Sequence, residues 1–112
     1  MKLRIAAALC GLMCFGSASA DSLFTTGTIA VLRTYSIKHT VTPSRGITIV
    51  QLSQAMSGGC YYAYIDAADK ASLSMALAAK SSASPVVLWY DPAQTAPWGD
   101  TGICALTGLE AT

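Results

Sequence analysis

The sequence is poor in the residue types on which most catalytic and charged binding sites are built. Its 112 residues include one histidine, one glutamate and no asparagine, and only 12% of them are charged. Because there is a single histidine, any zinc site or histidine-based triad would have to be built around His39. The lack of asparagine excludes N-linked glycosylation. Residues 21–112 contain no zinc-protease, phosphate-loop or paired-cysteine redox motif. We therefore expect a protein that is not an enzyme and that needs no cofactor or metal.

The apolar residues are concentrated at the N-terminus. Lys2 and Arg4 precede an apolar stretch over residues 5–16, and small residues then lead to Ala20. This order is typical of a signal peptide, and the apolar stretch is too short to cross a bilayer about 30 Å thick. We expect cleavage after Ala20, a secreted or periplasmic product without membrane insertion, and a single domain over residues 21–112.

Charge and cysteine are both scarce beyond the predicted signal peptide. Residues 21–112 have five basic and six acidic side chains, a formal charge of −1. Nucleic-acid binding usually requires a basic surface, so we expect no nucleic-acid partner. Cys60 and Cys104 are the two cysteines of this part and are expected to form one disulfide in an oxidising compartment, the alternative being two buried thiols. Closing a loop of about 45 residues would stabilise the fold by roughly 4 kcal/mol.

The residue pattern predicts five strands and one helix. Five stretches alternate or are rich in β-branched and aromatic residues, which favours strands: residues 28–36, 47–53, 60–66, 86–91 and 102–110. One stretch of strong helix formers occupies residues 69–80 and is followed by Pro85, which cannot continue a helix. Loops are expected where glycine, proline or serine is frequent: residues 38–46, 57–59 and 91–100.

The predicted helix lies between the third and fourth strands. Leu73, Ala76 and Leu77 recur in it at helical spacing, and Asp66 or Asp69 can cap its first turn. The order β-β-β-α-β-β excludes helical bundles and parallel α/β sheets. It fits the compact five-stranded barrel of the OB-fold. We therefore expect a mostly β, OB-fold-like domain with one helix, and a small open sandwich is the alternative.

Aromatic and hydroxyl side chains point to binding. Alternation sends Trp89 and Tyr90 to opposite faces of their strand, and Trp98 lies in a loop bounded by prolines. Aromatic rings can stack on the C–H faces of sugars, while Ser, Thr and Tyr hydroxyls bind sugar hydroxyls. We expect Tyr35 to contribute to a glycan site and Trp98 to contact a protein partner. Packing of these rings in the core is the alternative.

Three short segments carry a family resemblance: residues 23–29 (LFTTGTI), residues 76–98 with VVLWYDP at their centre, and residues 105–109 (ALTGL). They resemble the B subunits of subtilase-type and typhoid-type A–B toxins. The resemblance implies an OB-fold protomer, a homo-pentamer with an enzymatic A chain, and binding of sialylated or other cell-surface glycans. It places the sugar-binding hydroxyl at Thr25 or Thr26 and an aromatic contact at Tyr90. The chain departs from the family in having at most one disulfide and in residues 38–54, which have no counterpart.

The expected function is that of an exported, non-enzymatic binding module, in the first place a toxin-type subunit that binds carbohydrate. The alternative is a periplasmic inhibitor or immunity-like protein that acts by protein–protein binding. A ring-forming lectin has a self-complementary interface and repeated weak sites, whereas an inhibitor has one hot-spot patch, expected around Trp98. The same outline also fits small exported bacterial proteins to which no role is assigned.

Overall fold

The computed structural model describes residues 22–112, and the predicted signal peptide and its cleavage point lie outside them. Over these residues the chain forms six strands and one α-helix. The strands are β1 (Leu23–Gly27), β2 (Ile29–Thr34), β3 (Thr48–Leu52), β4 (Tyr62–Ile65), β5 (Val86–Thr95) and β6 (Ile103–Ala111), and the helix is α1 (Lys70–Ser82). The predicted mostly β domain with one helix is confirmed. Within the described part of the chain, no helix has the length and apolar character needed to span a bilayer.

All six strands belong to one mixed sheet in the order β1-β5-β6-β4-β3-β2. Neighbouring strands are antiparallel except β4 and β6, which are parallel. β1 and β2 therefore form the two edges, although only Thr28 separates them in the sequence. The sequence predicted five strands in a closed barrel. The structure has six strands, because the residues before Thr28 form a strand of their own. Over residues 22–112 the strand pairings leave the sheet open, with β1 and β2 unpaired with each other.

Two features of the strands depart clearly from the prediction, whereas the other predicted strand ends lie within two residues of the observed ones. β1 was not expected, and it pairs with β5 so that Leu23 lies opposite Tyr90. β5 continues to Thr95, into a stretch that was predicted to be a loop because it contains Pro92. The register between β5 and β6 shifts between Asp91 and Thr95. Such an irregularity accommodates proline, which has no N–H to donate to a neighbouring strand.

The main hydrophobic core lies between α1 and the inner face of the sheet. Val86, Leu88 and Tyr90 of β5 are fully buried in it. Trp89, between two of these residues, is only partly buried, so the predicted separation of Trp89 and Tyr90 onto opposite faces of the strand is confirmed. This alternation fixes which side chains of β5 can reach the surface.

α1 packs against β2 and β6 through small side chains. Ala76 and Ala79 are buried in the main core, and Leu73 packs against it. Leu77, which shares the helical spacing of Leu73 and Ala76, is nevertheless 50% exposed. Two alanines three residues apart let the helix approach the strands closely, and this rotates Leu77 toward solvent.

The ends of α1 follow ordinary capping chemistry. Asp69 is the N-cap, because its side chain accepts a hydrogen bond from the Ser72 N–H at 3.2 Å. Asp66, the other predicted cap, instead accepts one from the Ala68 N–H at 3.0 Å in the preceding turn. The helix ends at Ser82 and is followed by Ala83, its C-cap, which adopts a left-handed conformation with φ of 54°.

The predicted disulfide between Cys60 and Cys104 is confirmed. The two sulfurs are bonded at 2.07 Å, and the two Cα atoms are 5.9 Å apart. The bond joins the turn before β4 to β6, and both cysteines are buried in the main core. It therefore fixes the start of β4 beside the strand with which β4 pairs in parallel.

Candidate functional site

Of the residues expected to bind glycan, Thr25 and Tyr90 lie together. The Thr25 hydroxyl and the Tyr90 hydroxyl are 2.9 Å apart, and the Tyr90 hydroxyl accepts a hydrogen bond from the Ser57 N–H at 2.7 Å. Tyr90 has 0% of its surface exposed. In this arrangement the ring belongs to the core, and the hydroxyl joins β1 to the turn that precedes Cys60.

Thr26 lies on the other face of β1, because successive residues of a strand alternate. It is exposed and is paired with Val87. On the same face, Phe24 is 57% exposed and packs on Trp89 with the ring centroids 4.8 Å apart. The structure therefore brings Tyr90 together with Thr25 and not with Thr26.

A second group of aromatic side chains lies on the outer side of the sheet. Tyr35 and Trp98, which the sequence placed in separate predictions, meet edge to face with ring centroids 5.6 Å apart. They pack on a small hydrophobic cluster separate from the main core. Its buried members are Ile47, Ile49, Ala96 and Ile103, and the partly buried aromatic residues packed on it are Tyr35, Tyr62, Tyr64 and Trp98. We call these four aromatic residues the aromatic face.

The strands determine half of the aromatic face through their register. Ile49 on β3 is paired with Tyr64 on β4, and Tyr62 on β4 is paired with Ile103 on β6. Paired residues present their side chains on the same face of a sheet. The alternate residues of these strands belong to the main core. The strands are thus apolar on both faces, and the outer face is completed by loops.

The loop between β2 and β3 supplies Tyr35 and is held by internal hydrogen bonds. The His39 ring lies 4.9 Å from the Tyr35 ring, and its Nδ1 is 3.0 Å from the buried Ser44 hydroxyl. Arg45 Nε donates to the His39 carbonyl at 2.6 Å. Tyr35 itself is held by two backbone hydrogen bonds, from its N–H to the Ile47 carbonyl and from the Gly46 N–H to its carbonyl, both at 2.9 Å.

The loop between β5 and β6, residues 96–102, supplies Trp98 and is also held by hydrogen bonds. The Gly99 N–H donates to the Ala96 carbonyl at 3.0 Å, and the Ala96 N–H donates to the Ile103 carbonyl at 2.8 Å. Gly99 has a φ of 98°, a conformation that side chains disfavour. The turn places Trp98 over the second cluster.

Charged groups lie near the aromatic face. Arg33 on β2 is the paired neighbour of Ile49. Burial raises the pKa of Tyr64 above its usual value, and the negative charges of Asp66 and Asp91 raise it further. The Tyr64 side chain therefore remains a neutral hydroxyl at ordinary pH, able to donate and to accept hydrogen bonds.

Tyr61 extends the aromatic surface beyond Tyr62, and their ring centroids are 5.4 Å apart. The Tyr61 ring is 51% exposed and lies so close over Gly102 that a Cβ at this position would overlap it. Its hydroxyl donates to Asp100 Oδ1 at 3.3 Å. The negative charge of Asp100 is the main reason that the pKa of Tyr61 is raised.

An open cleft of about 370 Å³ lies beside Tyr61, at the end of β3. Its lining residues are Gln51, Leu52, Ser53, Gln54, Ala55, Met56, Cys60 and Tyr61. The polar groups among them are amides and hydroxyls, and no charged side chain lines the cleft. Within residues 22–112, no three His, Cys, Asp or Glu side chains are grouped so as to hold a metal ion.

The sequence identified only part of this surface. Tyr35 and Trp98 were singled out, but for different ligands, and Tyr61, Tyr62, Tyr64 and the cleft glutamines were not. The alternation of residues 60–66 is a signal for a tyrosine-bearing face. Nothing in the spacing indicates that the two loops converge on it.

Comparison of the chain with protein-family models, with curated proteins and with solved structures found no match. The function is therefore inferred from the residues of this chain and their geometry.

Proposed function

We propose that this protein is an exported, non-enzymatic module that binds carbohydrate on its aromatic face. The observation that carries the proposal is the meeting of Tyr35 and Trp98, from two separate loops, beside Tyr62 and Tyr64 on one side of the sheet. Partly buried rings fixed by packing offer flat surfaces to the C–H faces of a sugar. Neighbouring tyrosine hydroxyls provide hydrogen bonds that orient its hydroxyl groups.

We further propose that the sheet functions as an OB-type barrel, in which residues 23–34 act as one bent first strand. Three observations support this. Thr28 is the single residue between β1 and β2, and its carbonyl accepts a hydrogen bond from the Ser53 N–H at 2.9 Å. The helix follows the third strand of such a barrel, and β4 runs parallel to β6. One stretch of chain thus supplies both edges of the sheet.

The place of the aromatic face within such a barrel supports carbohydrate binding. If residues 23–34 are the first strand, β3 becomes the second and β4, which bears Tyr62 and Tyr64, becomes the third. Tyr35 then belongs to the first loop, and Trp98 belongs to the loop between the fourth and fifth strands. OB-folds bind oligosaccharides and oligonucleotides on this combination of strands and loops. The formal charge of −1 over residues 21–112 favours the oligosaccharide.

The toxin-type site at Thr25 and Tyr90 is the less favourable of the two surfaces for a sugar. Its ring is fully buried, and its hydroxyl already has two partners, Thr25 and Ser57. A sugar at this place would have to displace hydrogen bonds that join β1 to the rest of the fold. The aromatic face requires no such rearrangement, because its rings are already partly exposed.

Export is supported by the disulfide, since such bonds persist mainly in secreted and periplasmic proteins. The homo-pentamer implied by the toxin resemblance stays a prediction, which the mass of the oxidised protein in solution tests. A mass of five protomers would support a ring with repeated sites. A monomer would remove the ring while leaving the carbohydrate site untouched.

The proposal is tested by screening the oxidised protein on a glycan array and then mapping the hits by NMR. Bound glycan should shift the Trp98 indole signal and amides of residues 35–47 and 96–102. Trp98→Ala should weaken binding at least about tenfold, or about 1.4 kcal/mol. Phe24→Ala, which removes an exposed ring from a different part of the sheet, is the matched control and should bind as the original protein does.

Two outcomes would contradict the proposal. The first is a glycan that shifts the signals around Thr25 and Tyr90 and leaves the Trp98 indole unmoved. The second is equal loss of binding in Phe24→Ala and Trp98→Ala, which would indicate a general effect on the fold. Because mapping uses the unsubstituted protein, the first result does not depend on any variant remaining folded.

A further inference from the structure

We infer that the cleft beside Tyr61 is a subsite for one uncharged sugar residue, next to the aromatic face. This inference rests on the proposed carbohydrate-binding function and adds to it a place and a ligand class. The cleft has a volume of about 370 Å³, within the range of small-molecule sites. It adjoins the aromatic face through the contact between the Tyr61 and Tyr62 rings, whose centroids are 5.4 Å apart.

The walls of the cleft have the chemistry of a neutral polyhydroxylated ligand. Gln51 and Gln54 can each donate and accept through their amides, and Ser53 provides a hydroxyl. Leu52 and Met56 supply apolar surface for the C–H groups of a ring. Because no lysine or arginine lines the cleft, an anionic ligand would find no counter-charge within it.

Tyr61 forms one wall, and its ring position is determined by its neighbours. The ring lies over Gly102, where any side chain would displace it. At the far end of the ring, the hydroxyl bonds to Asp100 at 3.3 Å, and the Tyr61 N–H donates to the Gly102 carbonyl at 2.9 Å. The ring is half exposed while held in place, so little conformational freedom is lost when a sugar stacks on it.

The opposite wall is also fixed in advance. The Ser53 N–H donates to the Thr28 carbonyl at 2.9 Å, and the Ser57 N–H donates to the buried Tyr90 hydroxyl at 2.7 Å. Cys60, which also lines the cleft, is bonded to Cys104 on β6. A turn held at three points keeps the cleft open without a ligand, which is the condition for binding without a large ordering cost.

Charge at the rim selects against acidic sugars. The Asp100 carboxylate accepts hydrogen bonds from Tyr61 and from the Gly102 N–H, at 3.3 and 3.0 Å, and so lies at the Tyr61 end of the cleft. A sialic acid carboxylate stacked on Tyr61 would be repelled by this charge. The subsite therefore favours an uncharged hexose or N-acetylhexosamine over the sialylated glycans that the toxin resemblance implies.

The test is NMR titration of the oxidised protein with maltotriose, cellotriose, mannotriose and tri-N-acetylchitotriose as neutral probes, and with N-acetylneuraminic acid as the anionic probe. A neutral trisaccharide should shift amides of residues 51–56 and Tyr61 together with the Trp98 indole. Gln54→Ala should weaken its binding at least about fivefold, or about 1 kcal/mol. Gln94→Ala, at an exposed glutamine of β5 outside the cleft, is the matched control and should bind unchanged.

A second variant separates the position of Tyr61 from its presence. Gly102→Ala retains the tyrosine but forces its ring off the cleft wall, and Gly102 does not have the positive φ that would strain an alanine. We expect weakened trisaccharide binding with the fold preserved, as judged from unchanged amide signals of α1. Trisaccharide binding equal to that of the original protein in both Gln54→Ala and Gly102→Ala would overturn the subsite.

The outcomes distinguish this inference from the proposed function. Shifts confined to the aromatic face, with intact binding by the cleft variants, would remove the subsite and leave the proposed function standing. Shifts confined to the cleft would remove the aromatic face as the binding surface and leave the subsite standing. Shifts of residues 51–56 by N-acetylneuraminic acid would overturn the assignment to uncharged sugars. Absence of binding to every probe and to the glycan array would overturn both.

Discussion

Removing the Tyr90 hydroxyl should destabilise the domain by about 2 kcal/mol. Tyr90→Phe keeps the buried ring, so the change is limited to the hydrogen bonds with Thr25 and Ser57, at 2.9 and 2.7 Å. A neutral intramolecular hydrogen bond contributes about 1 kcal/mol net, and more when its partner is left buried without a replacement. For a domain of this size, about 2 kcal/mol corresponds to a melting temperature lower by about 10 °C.

A double-mutant cycle with Thr25 measures the energy of the hydrogen bond between Thr25 and Tyr90. Thr25→Val should cost about 1 kcal/mol, because it removes only the bond to Tyr90 and leaves that of Ser57 in place. Both single substitutions remove the same bond between the Thr25 and Tyr90 hydroxyls, so its loss is counted twice when their effects are added. The double variant should therefore be about 1 kcal/mol more stable than that sum predicts. Urea unfolding followed by tryptophan fluorescence measures all four proteins, and an unchanged m-value shows that the same surface is exposed on unfolding.

Tyr61→Phe is the matched control, since it removes the same atom from a tyrosine at the surface. It should leave the urea midpoint unchanged. Tyr90→Phe should still bind glycan on the aromatic face, whereas a toxin-type site at Thr25 and Tyr90 predicts loss of binding. Equal midpoints for Tyr90→Phe and the original protein, or strict additivity in the cycle, would refute the role assigned to the buried hydroxyl.

Three further predictions concern the disulfide, the helix and a charge. Reduction of Cys60–Cys104 should lower the stability by about 4 kcal/mol and the melting temperature by about 20 °C, and two reactive thiols in the untreated protein would contradict the bond. Asp69→Ala should cost about 1 kcal/mol in urea unfolding, while Asp69→Asn, which can still cap the helix, should cost little. Asp100→Asn should lower the pKa of Tyr61 toward its usual value, because the tyrosinate no longer faces a carboxylate; an NMR titration showing an unchanged pKa would rule this cause out.

Local chemistry made much of the fold predictable from the sequence. The disulfide followed from a pair of cysteines after a predicted signal peptide. The helix followed from its composition, an aspartate at its start and Pro85 beyond its end. The placement of Trp89 and Tyr90 on opposite faces of their strand followed from alternation alone, but alternation did not show that Tyr90 is the buried one. Each of these inferences depends on residues that are close in the sequence or, for the disulfide, on the number of cysteines.

Features set by distant contacts were not predictable. β1 has no strand pattern of its own and exists because it pairs with β5. Pro92 suggested a loop, yet the strand continues past it through a register shift. The aromatic face combines Tyr35 and Trp98 from loops that are far apart in the sequence, and the need for glycine at position 102 is set by the Tyr61 ring.

The division of the first strand region at Thr28 has a consequence for the order of folding. β2 can pair with β3 as soon as residue 52 is present, but β1 has no partner until β5 has been made. Pairings between such distant segments form slowly, because a long loop must close first. β1 therefore stays unpaired during folding after β2 has already paired with β3. Folding can be completed only after nearly the whole chain is present, which fits the export proposed above.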